Sequence, residues 1–315
     1  MKASHDSVDL RDRFVRFWTE PSNGSAGSLF RIAYGLLATW TALGVFLNLE
    51  RYYGFRGLVP WEAVQGFPEQ RYSLLALAPE SSLWLTLIAG AFLAGALMIT
   101  AGAWPRVGAL LVYVTNVGLQ HRNPYVLNNG DRLFLILAAL SIFLPFGARY
   151  SVDAWRRARR GLPAPAVGVW AQRLIALQVS YIYLSSCFAK LRYAEWRQGT
   201  AVRDVLSSPV FSEWPMRVDF TPLVWFLTWS TLVFEFLFPL LIWNPRLRPY
   251  LLVAGLLFHA GIEVTMTIPM FSAVMITTYA CFLDDREAEA IVTQGRRALA
   301  RLFSREPRAA AARET

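Results

Sequence analysis

The stretch LWLTLIAGAFLAGALMITAGAW, residues 83–104, is uninterrupted by any charged side chain. A helix needs about 20 largely apolar residues to cross the hydrocarbon core of a bilayer, so this segment alone can span one. Six other stretches are long enough or nearly so: 28–49, 106–121, 133–148, 169–189, 223–243 and 248–265. An eighth run, 268–283, opens with Ile268-Pro269, where a proline fits the first turn of a helix. The sequence therefore predicts an all-α polytopic membrane protein, a bundle of about eight transmembrane helices.

The composition supports the same fold class. Hydrophobic residues make up 55% of the 315 residues and charged residues only 17%, with a mean hydropathy of +0.35. Charged side chains are too sparse to cover a globule in water, which excludes a soluble protein. The net charge of +9 is spread over loops and tails. We therefore expect anionic lipid headgroups to be its partners, and no nucleic acid.

Basic residues indicate the orientation, because cytoplasmic flanks of membrane helices are enriched in Lys and Arg. With the N-terminus inside, the inner segments hold 19 of the 31 basic residues and the outer segments hold ten. The other two, Arg31 and Arg173, fall within predicted spans. An even number of spans then places both termini in the cytoplasm.

Three segments are predicted along the chain. Residues 1–27 contain no cleavable signal. They carry apolar residues at helical spacing among arginines, which fits an interfacial helix or an untethered basic tail. Residues 28–284 form the membrane domain, and residues 285–315 form a basic cytoplasmic tail whose helix frays in its Ala-rich end. Both cysteines lie inside apolar runs, so neither a disulfide nor a metal site is indicated.

Polar residues at membrane depth are costly and usually face a bundle interior or a cavity. Lys190 ends the fifth span on the outer side, and Glu235 lies in the middle of the sixth. His259 and Glu263 are four residues apart in the seventh span and share one helical face. The turn after the third span adds His121, Arg122, Asn123, Asn128, Asn129 and Asp131. The gathering of these groups toward one side predicts a polar cavity that opens outward, with the loops 50–82 and 190–222 as its lids.

Lys190 is unusual in this chain, which has 29 arginines and only Lys2 and Lys190 as lysines. An amine can lose its proton and act as a base, whereas a guanidinium stays charged. A lysine that snorkels to the headgroups is the structural alternative.

The other polar candidates have structural alternatives too. His259 and Glu263 would be a hydrogen-bonded pair that packs two helices. Glu235 would pair with Arg173, and Asp131 would cap a helix start. The pair Met270-Phe271 would be ordinary packing.

The segment Phe188-Ala189-Lys190-Leu191, followed by Glu195-Trp196 and Gln198-Gly199, resembles the lysine-containing segment of the vitamin K-dependent gamma-glutamyl carboxylases. It is equally similar to their bacterial relatives, the HTTM (horizontally transferred transmembrane) domain proteins. Three further pieces fit in the same order: Arg122-Asn123-Pro124 with Asn128-Asn129-Gly130-Asp131, then Tyr150-Ser151-Val152-Asp153, then Phe258-His259 with Ile268-Pro269-Met270-Phe271-Ser272. Together they cover residues 30–283 in outline.

The resemblance implies a quinol-dependent carboxylase-like lyase in the bacterial inner membrane. In those enzymes the lysine that matches Lys190 deprotonates a reduced naphthoquinone, of the vitamin K or menaquinone type. Reaction with dioxygen then yields a strong base that removes a glutamyl γ-proton, and carbon dioxide adds to the carbanion. Carried over, Lys190 is the catalytic base. The cavity is lined by Asn128, Asn129, Asp131, His259, Glu263, Met270 and Phe271, with no metal.

The chain differs from the carboxylases in two places. Gly130 follows the paired asparagines where the carboxylases place a histidine. The chain also ends soon after its last predicted span, so we expect a substrate that is small or enters as a short flexible segment. The alternative function is non-catalytic: a membrane protein that binds or transports a small ligand or peptide, or gives immunity to a toxic peptide.

Overall fold

The computed structural model describes residues 9–66, 73–145, 147–212, 215 and 220–303. These residues are organised almost entirely as α-helices, which confirms the all-α fold class. The α-helices are α1 (Leu10–Thr19), α2 (Ser25–Leu47), α3 (Leu49–Tyr53), α4 (Trp61–Val64), α5 (Ser82–Ala101), α6 (Pro105–Arg122), α7 (Asn129–Ser141), α8 (Val152–Arg159), α9 (Trp170–Lys190), α10 (Ala194–Gln198), α11 (Ala201–Ser207), α12 (Thr221–Leu241), α13 (Arg248–Thr265), α14 (Phe271–Thr278) and α15 (Asp285–Phe303). Short 3-10 turns lie at Leu74–Leu77, Pro124–Val126 and Tyr279–Phe282. Two short strands, β1 (Pro21–Ser22) and β2 (Val167–Gly168), pair antiparallel.

The bundle contains one helix for each predicted apolar run: α2, α5, α6, α7, α9, α12, α13 and α14. Three of them, α2, α5 and α12, are long and apolar enough to cross a membrane by themselves. The helices α6 and α7 extend beyond the short runs 106–121 and 133–148 into the polar stretch between them. Residue 146, within the second run, lies outside the described residues.

The last bundle helix begins later than its sequence predicted. Met270 precedes α14 in a left-handed conformation with φ of 65°, so the helix starts at Phe271. Pro269 therefore lies before the helix and not in its first turn. A non-glycine residue at positive φ is uncommon and interrupts a helical path, which separates α13 from α14 at this point.

Arg31, on the buried face of α2, connects three parts of the bundle. Its side chain is fully buried and donates to the carbonyl oxygens of Ile99 (2.7 Å), Thr100 (2.5 Å) and Tyr150 (2.5 Å). Two of these acceptors lie in the last turn of α5, where helical carbonyls have no partner within the helix. The segment from Tyr150 onward is held there as well, because the Asp153 carboxylate accepts from the Trp104 amide at 3.0 Å.

The end of the bundle where α1, α8 and α15 lie is called the basic end here. The helix α1 is docked on it: the Phe17 ring lies 5.6 Å from Trp243, and Arg173 bonds Glu20 at 2.7 Å. The described part of the N-terminal segment is therefore helical and docked on the bundle, while its position in a membrane interface stays a prediction. Residues 1–8 and the predicted fraying over 304–315 lie outside the described residues.

The first turn of α15 caps α2. The Asp285 carboxylate accepts from the Ser22 hydroxyl at 2.9 Å and from the amides of Asn23 (2.8 Å) and Ser25 (3.1 Å). A carboxylate at a helix N-terminus satisfies amides that have no partner within the helix. The contact fixes α15 to the bundle.

Candidate functional site

Lys190 is the last residue of α9, at the end of the bundle opposite the basic end. Its Nζ donates to the Glu235 Oε1 at 2.5 Å and to the Ser186 Oγ at 2.6 Å. Ser186 also donates to the same carboxylate oxygen, at 3.1 Å. The Lys190 side chain is 24% exposed and that of Glu235 only 5%. The amine therefore lies at the edge of the bundle, and its carboxylate partner lies inside it.

Glu235 pairs with Lys190 and not with Arg173, so the predicted pair of Glu235 with Arg173 is wrong. Arg173 lies 17 residues before Lys190 on α9, which is about 25 Å along the axis at 1.5 Å per residue. It bonds Glu20 at the basic end. The second carboxylate oxygen of Glu235, Oε2, is buried and has no hydrogen-bond partner among the described residues.

An aromatic ring covers the free side of the amine. Trp196 of α10 has its ring centroid 5.2 Å from the Lys190 Nζ, within the range of a cation–π contact. The chain can turn here because Gly199 ends α10 with a φ of 78°, which glycine adopts without strain. A Cβ on Gly199 would also lie 3.1 Å from the Trp229 Nε1.

His259 is fully buried in α13 and belongs to a hydrogen-bonded triad. Its Nε2 lies 2.8 Å from the Tyr183 hydroxyl, which lies 2.6 Å from the Tyr279 hydroxyl. The predicted hydrogen bond between His259 and Glu263 is wrong, because the ring faces the bundle interior while Glu263 is exposed. The His259 Nδ1 has no hydrogen-bond partner among the described residues.

Gly255, one turn before His259, makes room for the triad. A Cβ at this position would lie 2.8 Å from the Tyr279 Cζ and 2.9 Å from its Cε2. Real Cβ atoms are not found so close to a ring, so only glycine lets Tyr279 reach Tyr183 here.

The segment 128–131 forms the start of α7. The Asn128 Oδ1 accepts from the Gly130 amide at 2.6 Å, and the Asp131 carboxylate accepts from the Asn128 amide at 2.8 Å. The second bond belongs to a capping box between Asn128 and Asp131, so the capping role predicted for Asp131 is confirmed. Asn129 is exposed.

The start of α14 lies against this cap. The Phe271 ring makes an edge-to-face contact with His259 at 5.7 Å, and the Met270 Sδ lies 3.5 Å from the Thr41 hydroxyl. Gly130 abuts the backbone of Phe271. Three of the stretches that contribute to the resemblance, 128–131, 258–259 and 268–272, therefore meet in space.

The predicted residues form two clusters along one face of α9. The base cluster contains Lys190, Ser186, Glu235 and Trp196, and the triad cluster contains Tyr183, His259, Tyr279 and Phe271 with the start of α7 beside it. Tyr183 and Lys190 are seven residues apart, so they share a face and stand about 10 Å apart along the axis. Asn129 and Glu263 are exposed and belong to neither cluster.

Tyr183, Ser186 and Tyr279 were not predicted as site residues. Tyr183 lies three residues before Ser186 and seven before Lys190, which places three polar side chains on one face of an apolar helix. This spacing is the signal that would have identified Tyr183 and Ser186.

A groove of about 320 Å³ beside Phe188 and Arg192 lies on the opposite face of α9 and is not part of either cluster.

Arg122 and Asn123 hold the loop after α2. Arg122 donates to the carbonyl oxygens of Gly54 (2.5 Å) and Val59 (3.0 Å), and Asn123 donates to that of Tyr52 at 2.8 Å.

Burial, together with the nearby charge of Asp131, raises the pKa of Tyr53 to about 12. Tyr53 therefore stays protonated beside the α7 cap.

The described residues contain no group of three or more His, Cys, Asp or Glu that could hold a metal ion.

The sequence model of the HTTM domain matches residues 20–286, which include all eight bundle helices and both clusters. The chain belongs to the HTTM-domain family. The resemblance of the four segments to HTTM proteins is thereby confirmed, and the matched region runs from the end of α1 to the first turn of α15.

Two proteins of Bacillus subtilis (strain 168) are similar to this HTTM protein. The sporulation-delaying protein SdpB is 26% identical over 196 residues, 59% of this chain. The match spans 60% of the length of SdpB. The uncharacterized protein YitO is 22% identical over 280 residues, 84% of this chain and 89% of YitO. No solved structure matches.

Proposed function

We propose that this HTTM protein spans the bacterial inner membrane eight times, with both termini in the cytoplasm and Lys190 toward the outer side. The proposal is supported by the eight bundle helices, three of which are long and apolar enough to cross a membrane by themselves. It is also supported by the excess of basic residues in the segments at the basic end, where positively charged flanks face the cytoplasm.

We further propose that the base cluster is the active site of a quinol-dependent, carboxylase-like enzyme. The observation that carries this proposal is the contact between the Lys190 Nζ and the Glu235 Oε1 at 2.5 Å, at the buried edge of an apolar bundle. Separated charges are costly in such surroundings. Transfer of one proton from the amine to the carboxylate leaves both groups neutral and gives Lys190 a lone pair. Lys190 then accepts a proton from a ligand hydroxyl while Glu235 holds the first one.

The residues present fit a hydroxyl-bearing aromatic ligand. The buried Glu235 Oε2 has no partner within the described part of the chain and suits a hydroxyl donor, and Trp196 offers a ring face beside the amine. A reduced naphthoquinone, when bound, would supply the electrons for reaction with dioxygen. Lys190 and Glu235 would orient its hydroxyl and take up the proton, and the apolar ends of α9 and α12 would exclude water. The substrate that this reaction would modify is small or is a short peptide segment.

Replacement of Lys190 tests the enzyme. Purified protein in liposomes is given a reduced naphthoquinone, and consumption of the quinol and of dioxygen is followed. We expect turnover by the wild type and none by Lys190→Arg or Lys190→Ala per amount of folded protein, because a guanidinium does not lose its proton and alanine has no base. A small amine in solution should partly restore the alanine variant. Arg192→Gln, an exposed arginine two residues beyond the end of α9, is the matched control and should keep full activity.

The second candidate function is non-catalytic: binding or transport of a small ligand or peptide, or immunity to a toxic peptide. It is favoured by the contacts of the Lys190 amine with Glu235, Ser186 and Trp196, which suit a clamp between α9 and α12.

One double variant separates the two candidates. Lys190→Met with Glu235→Leu removes the charged pair and keeps the packing volume, which is often tolerated when a buried pair is only structural. If the pair is a structural clamp, this variant keeps its host phenotype. If Lys190 is a base, the variant loses that phenotype. Full activity of Lys190→Arg, or no consumption of quinol by the wild type, contradicts the enzyme. A neighbouring gene for a Glu-rich precursor peptide would favour the enzyme, and one for a toxic peptide would favour immunity.

A further inference from the structure

We propose that the distal half of α15, residues 290–303, together with α1 and α8, binds the anionic phospholipid headgroups of the membrane that holds the bundle. These three segments are called the basic collar here. The inference goes beyond the proposed function, since it concerns the opposite end of the molecule from Lys190.

The charges of α15 are segregated along its length. Its acidic residues all lie in the first turns, where each contacts the bundle. Asp285 caps α2, Glu287 accepts from Arg248 at 2.6 Å, and Glu289 accepts from Arg149 and from Asn23. From residue 290 to residue 303 the helix carries no acidic residue and three arginines: Arg296, Arg297 and Arg301. The proximal half is thus a docking segment, and the distal half is a basic surface.

Exposed apolar side chains lie among the arginines of the collar. On α15, Leu299 is 56% exposed and Ile291 46%. On α1, Leu10 and Phe14 are 79% and 66% exposed and lie beside Arg11 and Arg13. An amphipathic helix that carries arginines beside large apolar residues is typical of segments that lie in a membrane interface.

Two exposed tryptophans contact arginines of α8, the third part of the collar. Trp155 of α8 is 53% exposed and Trp104 is 64% exposed. Each is covered on one side by a guanidinium, Arg159 at 4.1 Å and Arg156 at 5.1 Å. Tryptophan is enriched at the level of lipid headgroups, so these rings mark the plane in which the collar meets the bilayer.

Contacts hold α15 beside this plane. Arg149, three residues before α8, pairs with Glu289, and Arg296 lies over the Tyr150 ring at 5.6 Å. The bilayer is preferred as the occupant over a nucleic acid, because a phosphate backbone would satisfy the arginines and leave Leu10, Phe14 and Leu299 in water. A bilayer surface satisfies both kinds of side chain.

The test uses the full chain in lipid nanodiscs made of phosphatidylcholine alone or mixed with phosphatidylglycerol. Amide hydrogen exchange over residues 290–301 is measured by mass spectrometry. Each arginine near an anionic surface contributes about fivefold to binding, so we expect slower exchange in the anionic discs, by roughly tenfold or more, and loss of this difference at high salt.

Arg296→Gln with Arg297→Gln should abolish most of the difference between the two lipids. Both side chains are exposed, so the variant should fold. Leu299→Ser provides a second variant that weakens the apolar part of the same contact. The matched control is Arg51→Gln with Arg56→Gln, two exposed arginines at the other end of the bundle. Three outcomes overturn the proposal. Exchange is equal in both lipids, or the control pair has an equal effect. The third outcome is the same protection by inorganic phosphate or a DNA fragment in neutral discs.

Discussion

Gly130 of α7 packs directly on the backbone of Phe271 at the start of α14. A Cβ at Gly130 would lie 2.8 Å from the Phe271 amide nitrogen and 2.9 Å from its Cα. The neighbour is backbone, which cannot swing aside as a side chain can. The absence of the carboxylases' histidine at this position therefore has a steric reason here: the first turns of α7 and α14 occupy its space.

Gly130→Ala should lower the free energy of unfolding by about 1–3 kcal/mol, because it forces α7 and α14 apart. Gly130→His should do so by more. Unfolding of the purified protein in detergent, by heat or by denaturant, measures the change. Gly90→Ala is the matched control, since a Cβ on Gly90 of α5 meets no atom within 4 Å. The control should be neutral or slightly stabilising, because alanine is the better helix former. Equal stability of Gly130→Ala and Gly90→Ala would refute the contact.

Lys190 and Glu235 should be strongly coupled in stability. Removal of one partner leaves the other charge uncompensated in the bundle and should cost about 3–5 kcal/mol, so Lys190→Met and Glu235→Leu should each be unstable. The double variant should cost less than the sum of the two single effects, by an interaction energy of about 1–3 kcal/mol in the cycle. Unfolding in detergent again provides the measurement. Additive single effects would show that the 2.5 Å contact does not persist in solution.

Gly255→Ala should disturb the triad cluster and Gly261→Ala should not. Both glycines lie on α13, but a Cβ at Gly261 meets nothing within 4 Å, whereas one at Gly255 reaches the Tyr279 ring. We expect Gly255→Ala to cost about 1–3 kcal/mol of stability. Combined with Tyr279→Phe, which removes the hydroxyl that lies nearest, the cost should fall. A Gly255→Ala effect that Tyr279→Phe leaves unchanged would mean that the hydroxyl is not what the glycine accommodates.

Thiol labelling tests the orientation of the bundle. Leu58 and Leu162 are 61% and 55% exposed and lie at opposite ends of the molecule, and both native cysteines are buried. In intact cells, Leu58→Cys should react with a membrane-impermeant thiol reagent and Leu162→Cys should react only after lysis. The reverse pattern would place the termini outside.

The apolar runs predicted the bundle closely, because a span is specified by local composition. The run 248–265 coincides with α13 (Arg248–Thr265). The late start of α14 could not be predicted, because it depends on the left-handed backbone of Met270, which carries no signal in its residue type. A turn set by tertiary packing overrides local preference.

The candidate site was predicted less well than the fold. Lys190, His259 and Asp131 were identified because ionisable groups stand out in apolar surroundings. Their partners were missed or misassigned. Glu235 was expected to pair with Arg173, and His259 with Glu263. Which side chains meet between helices depends on how each helix is rotated about its axis, and hydrophobic periodicity gives this rotation only to within a broad face. The distance along α9 could still have excluded Arg173 as the partner of Glu235.

The buried guanidinium of Arg31 constrains the order in which the helices can enter the membrane during biosynthesis. Its acceptors are the carbonyls of residues 99, 100 and 150, which leave the ribosome long after α2 has been made. Until they arrive, α2 carries an uncompensated cation that lipid tails do not tolerate well. The first membrane helix is thus poorly suited to early release into the bilayer. It should be retained by the insertion machinery, or by a chaperone, until α5 and the chain up to Tyr150 have emerged.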